Sequence, residues 1–164
     1  MSGYAGIFGS ALVALACLLY ARGYSSYIRR RAAEYASFSG FLELVRRETA
    51  CSLSTAAELA ERSSDSILEE LGFLEAIRNG VTLGAAFDGI SSRSLLAEED
   101  RELLSRYFCD FGKGNLATEL RAVDGCISAF LPRAEAEVEG ASARIKLAKM
   151  LLALLAAAIT ILLI

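Results

Sequence analysis

In this chain of 164 residues no charged side chain occurs before Arg22 or after Lys149, although 17 Lys and Arg and 20 Asp and Glu crowd the interval between them. A polypeptide uncharged at both ends and charged throughout its middle is not a plain cytosolic globule, because its ends need an apolar phase of their own. The mean hydropathy of +0.41 reflects those ends. The middle is rich in Leu, Ala and Phe and the chain has a single Pro, which speaks against intrinsic disorder. One folded domain suits the length. Histidine is absent, so Ser-His triads, His-based zinc sites, haem ligation and His pH switches are excluded.

Residues 1–21 supply about the 20 apolar positions that a helix needs to cross a bilayer core of roughly 30 Å. A cleaved signal peptide is the competing reading, and Ala14-Leu15-Ala16-Cys17 faintly resembles a lipoprotein cleavage box. However, no Lys or Arg precedes the apolar run, and Leu18 and Leu19 prolong it, so an uncleaved anchor is expected. Residues 150–164 are apolar all round except for Thr160, and counting Leu147 and Ala148, with Lys146 and Lys149 snorkelling outward, restores a spanning length for residues 147–164. The basic flanks then set topology. Arg22, Arg29, Arg30 and Arg31 follow the first run, and Arg144, Lys146 and Lys149 precede the second, so both anchors keep residues 22–146 in the cytosol. The same rule accounts for the Arg triplet without nucleic acid. Gly6, Ser10 and Ala14 form a small-residue stripe through which another membrane helix, including a second copy of this one, could approach.

The expected fold class is all-α: a small cytosolic bundle of about five to six helices (residues 22–146) between a transmembrane helix at 1–21 and another at 147–164. Ile28, Ala32, Tyr35, Phe38, Leu42 and Val45 recur at three- and four-residue steps, making one apolar stripe on a helix that reaches about Glu48. Arg30, Glu34, Arg46 and Arg47 are placed on its outer face. Thr55 and Glu58 have the spacing of a capping box for a short helix ending near Arg62. A third helix runs from Asp65 or Ser66 through Arg78, with Asn79-Gly80 as its stop. Thr82 caps another to about Gly89. A further helix, from about Glu98 to Phe111, opens on Glu98, Glu99, Asp100 and Glu102, which suit its positive end, and Gly112-Lys113-Gly114-Asn115 breaks it. Beyond Leu116 the chain could be one helix into the membrane, but Pro132 predicts a bend there or a division into two helices.

The chemistry of catalysis is sparse. Cys17, Cys51, Cys109 and Cys126 are too far apart for metal or redox pairs, and free thiols are expected. Gly112-Lys113-Gly114 is no phosphate-binding loop. Successive acids on a helix point in different directions, so Glu98, Glu99 and Asp100 read as a solvated helix start and Glu135, Glu137 and Glu139 as a wet surface. No catalytic, cofactor-binding or metal-binding residue is expected. A pore-former would need polar residues along its membrane helices, where only Ser2, Ser10 and Thr160 occur.

The order of features carries more than any single motif. Phe41-Leu42-Glu43-Leu44-Val45-Arg46-Arg47-Glu48 closes the first helix, and Ser52-Leu53-Ser54-Thr55-Ala56-Ala57-Glu58-Leu59-Ala60 follows. Later, Leu103-Leu104-Ser105-Arg106-Tyr107-Phe108-Cys109-Asp110-Phe111-Gly112 precedes a long helix and an apolar tail. This resembles the stage III sporulation protein AB family of endospore-forming bacteria over nearly the whole chain. The resemblance implies a non-enzymatic component of a membrane channel complex joining mother cell and forespore, lodged in the mother-cell membrane around the forespore. It also implies likeness to the cytoplasmic helical domains of type II secretion and type IV pilus platform proteins. A cytoplasmic ATPase and other membrane proteins of the complex would be the partners, with no cofactor. Glu98, Glu99, Asp100 and Glu102 are the candidate docking residues. A holin-like or other membrane-assembly protein unrelated to sporulation is the alternative.

Overall fold

A computed structural model describes the backbone of residues 2–51 and 55–163, and the side-chain surroundings of residues 9, 12, 13, 15–51, 55–159 and 161. Among the described residues there are seven helices and no strand: α1 (Ser2–Cys51), α2 (Ala56–Arg62), α3 (Ser66–Leu71), α4 (Phe73–Arg78), α5 (Leu83–Ser91), α6 (Glu98–Asp110) and α7 (Leu116–Leu163). The chain divides into two units. One is residues 31–138, here the body. The other, the terminal unit, joins residues 1–30 to 139–164.

The body is organised by phenylalanines. Phe38 and Phe41 of α1 meet Phe73 of α4, Phe87 of α5 and Phe108 of α6, with edge-on or tilted rings whose centroids lie between 5.3 and 6.4 Å apart. Such geometry adds about 0.5–1.5 kcal/mol per pair beyond the burial of area. Around this cluster pack Leu42, Val45, Leu59, Leu68, Leu74, Ile77, Leu83 and Leu104, all buried. The α1 stripe thus behaves as its spacing demands, with Phe41 added to it.

Caps delimit the short helices. Thr55 and Glu58 form the reciprocal capping box of α2, and the Asp65 carboxylate accepts the Ile67 and Leu68 amides at the start of α3. The helix expected from residue 66 to 78 is instead two. Gly72, at φ +83°, ends α3 in the left-handed conformation and α4 starts beyond it, a turn that other residues enter at a cost of about 1–2 kcal/mol. Thr82 caps α5 through the Ala85 amide. A Cβ at Gly84 would sit 2.7 Å from Cys109 Sγ and 2.9 Å from its Cα, so the absence of a side chain is what lets α5 lie against α6.

Pro132 does not divide α7, which continues through it. Proline there removes only the hydrogen bond to the Ser128 carbonyl. Both residues are exposed, so water can satisfy that carbonyl.

The terminal unit follows another rule. Ser25, Ile28, Ala141 and Ile145 are buried, whereas Leu12, Leu15, Leu18, Leu19, Tyr20, Leu147, Met150, Leu151, Leu154, Leu155 and Ile161 are each more than half exposed. Among the described residues no helix is long and apolar enough to cross a membrane. The two apolar runs extend into positions 1–8, 10, 11, 14, 160 and 162–164, whose surroundings lie outside the described residues. Neither span expected at 1–21 and 147–164 is therefore complete within them, and the stripe of Gly6, Ser10 and Ala14 lies outside them as well.

Candidate functional site

Four acids of the body are buried: Glu48, near the end of α1, pairs with Arg62, and the other three each stand at the head of an apolar helical stripe. Glu34 precedes Phe38, Phe41 and Val45; Asp100 precedes Leu104, Tyr107 and Phe108; Glu119 precedes Val123, Cys126 and Phe130. A buried carboxylate must be matched by donors, or its desolvation costs several kcal/mol. Each is matched, and by a segment distant in sequence or at a turn.

Glu34, which has no exposed surface, receives the Ser94 hydroxyl at 3.0 Å and the Leu95 amide at 2.6 Å. This corrects its placement on the outer face of α1. Next to it, the Tyr35 hydroxyl donates to Asp100 Oδ2 at 2.6 Å and accepts the Ala97 amide at 3.1 Å. Arg133 of α7 donates to Asp100 Oδ1 at 2.8 Å and lies 3.5 Å from Glu99. The Tyr35 ring stacks on Phe130 and lies under the Arg31 guanidinium, which pairs with Glu137 at 3.1 Å. One polar seam therefore ties α1, the 94–97 segment, the start of α6 and α7 together. Burial and the hydrogen bond to Asp100 push the Tyr35 phenol above its ordinary range. The same carboxylate, through its hydrogen bond and its charge, raises Arg133.

Glu119 does similar work at the other end of α6. Its Oε1 accepts the Gly112 and Gly114 amides, both at 3.0 Å, and Gly112 has φ +80°. The glycine turn expected from the sequence is thus folded onto a buried acid. Nearby, Tyr107 is buried and among the described residues its hydroxyl has no hydrogen-bond partner. Burial drives its phenol well above the ordinary range and raises the Cys126 thiol to about 12, so Cys126 is a packing residue and not a reactive thiol.

The four candidate docking residues are not a single surface. Asp100, 3% exposed, points inward to the seam because it shares the buried face of α6 with Leu104 and Phe108. Glu98, Glu99 and Glu102 are exposed. Glu98 and Glu102 line a polar groove of about 440 Å³ between α5 and α6, together with Asp88, Arg101 and Arg106. Of the expected topology-setting cations, Arg22, Arg29, Arg30, Lys146 and Lys149 are exposed, while Arg31 is half-buried against Glu137 and Tyr35. All four cysteines are free. Among the described residues no group of three or more His, Cys, Asp or Glu could hold a metal ion.

Sequence reasoning missed Glu34, Tyr35 as a polar group, Arg133 and Glu119. For the acids the signal was present: each stands four residues before a buried apolar position and continues its stripe.

Fold and seam define an all-helical domain whose acids fasten loops to helices and whose first and last helices run on into an apolar, basic terminal unit. The chain belongs to the stage III sporulation protein AB family, whose pattern matches residues 6–164, and is thus a sporulation-related protein. No curated protein and no solved structure matches it.

Proposed function

We propose that the chain is a non-enzymatic platform of a sporulation channel complex, anchored by both ends in the mother-cell membrane around the forespore. On this reading the body faces the cytoplasm and docks an ATPase there. The supporting observation is the distribution of exposed large hydrophobics: of those in the described residues, only Val81, Leu116 and Val138 fall in the body. A row of solvated leucines is unfavourable by about 25 cal/mol for each Å² kept in water, and lipid removes that cost. Charge agrees, since the cations that would hold the flanks in the cytoplasm are exposed on the same segments.

The acids already committed to the seam are unavailable for docking, which leaves Glu98, Glu99 and Glu102. Membrane extracts containing the full chain and the ATPase test this: Glu99→Lys with Glu102→Lys should lower ATPase co-purification about tenfold, as expected where like charges replace complementary ones. The body's melting temperature should stay unchanged. Undiminished co-purification would remove this face as the docking surface.

A further inference from the structure

Six of the 17 Lys and Arg but one of the 20 Asp and Glu belong to the terminal unit, making it net +5 against −8 for the body, which together give the chain's −3. Within that unit lies a groove of about 1150 Å³, lined from α1 and from α7. Along α1 its lining passes from Leu18 and Leu19 to Arg22 and Arg29; along α7 it passes from Leu152 to Lys149. Leu18, Arg22 and Arg29 are spaced by four and seven residues and so share one helix face. Among the described residues none of Arg22, Arg29 and Lys149 has an ion-pair partner, and the unit's only acid is Glu139.

We propose that this groove binds one anionic phospholipid, with Arg22, Arg29 and Lys149 around its phosphate and an acyl chain along Leu18, Leu19 and Leu152. The lining has the polarity of that ligand: three cations at one end and apolar side chains at the other. A free phosphate would use only the first half. Guanidinium groups match phosphate oxygens geometrically, and near a membrane each basic residue adds to the affinity for anionic lipid. The assignment rests on the membrane anchoring proposed above.

The test reconstitutes the full chain into phosphatidylcholine vesicles with or without phosphatidylglycerol, then extracts it in mild detergent and counts co-purifying lipid by native mass spectrometry. Wild type should retain phosphatidylglycerol about tenfold over phosphatidylcholine, and excess glycerol phosphate should not displace it. Arg22→Gln, Arg29→Gln and Lys149→Gln together should abolish the preference. Arg30→Gln, Arg144→Gln and Lys146→Gln, an equal loss of charge outside the groove, should leave most of it. Equal loss in both triple variants would mean diffuse attraction and overturn the site, as would displacement by glycerol phosphate. Wild type that enters both vesicle types with no lipid preference sinks the site and leaves the anchoring intact; wild type that enters neither sinks both.

Discussion

The body carries net −8, buries six of its seven phenylalanines and, of its described leucines, exposes only Leu116; the terminal unit carries +5 and exposes every described leucine but Leu152. The long helices α1 and α7 run through both, and the body adds the short helices α2 to α6, so both units are helical and helix content alone does not set them apart. What differs is where the large apolar side chains lie. In the body an apolar stripe faces other stripes and acids are admitted only where donors wait for them. In the terminal unit most of the described large apolar side chains are exposed, and on the proposed anchoring they would face hydrocarbon.

The contrast is tested most severely by truncating one large apolar side chain in each unit. Phe73→Ala should cost the body about 3–5 kcal/mol, because a buried ring leaves a cavity. Leu154→Ala, removing a side chain 66% exposed, should change unfolding in detergent by no more than about 0.5 kcal/mol. Chemical denaturation of the full chain in mild detergent reads both. Comparable losses would erase the distinction between the units.

A smaller effect separates buried from exposed acids that share one arginine. Asp100→Ala leaves the Tyr35 hydroxyl without its acceptor and should cost about 2 kcal/mol. Glu99→Ala, on the same Arg133 but in water, should cost less than about 0.5 kcal/mol. The same denaturation curves decide. Equal costs would mean that the seam does not hold the start of α6.

The smallest effect concerns Tyr107. Because its hydroxyl is buried without a partner, Tyr107→Phe should be neutral or stabilise the body by about 1 kcal/mol at pH 7. The Tyr107 phenol and the Cys126 thiol are both raised by burial, from ordinary values of 10.0 and 9.0. Raised acids of this kind stabilise the fold fully below their unfolded values, and that contribution is lost as pH climbs above them. Wild-type denaturation midpoints should therefore fall from about pH 9 upward, Cys126 contributing first. Tyr107→Phe should make the decline above pH 10 shallower. A wild-type midpoint flat to pH 11 would contradict the burial of both groups.

How far the sequence could be read depends on whether the deciding contact is local. The capping box at Thr55, the cap at Thr82 and the stop at Gly80 are settled within a few residues, and they stand where their spacing puts them. Gly72 was harder, since glycine inside an apolar helical pattern is often tolerated; here it takes the left-handed conformation at φ +83°, which ends α3. The fates of Glu34 and Asp100 were settled by partners 60 and 65 residues away, Ser94 and Tyr35. Composition alone marks such acids as surface residues, yet their positions at the head of apolar stripes contain the correction. Of the bend or division expected at Pro132, the division does not occur, because that side of α7 is wet, which makes the missing hydrogen bond cheap.

The central claim is that the two units belong to different phases, with the body on the cytoplasmic side. Cys109 on α6 is exposed and Cys126 is not, so a variant keeping Cys109 alone reports the body's compartment. Expressed in a bacterial plasma membrane and treated with a membrane-impermeant maleimide, it should stay unlabelled in intact spheroplasts and become labelled in inverted vesicles. Labelling in intact spheroplasts would place the body outside the cytoplasm and contradict the account.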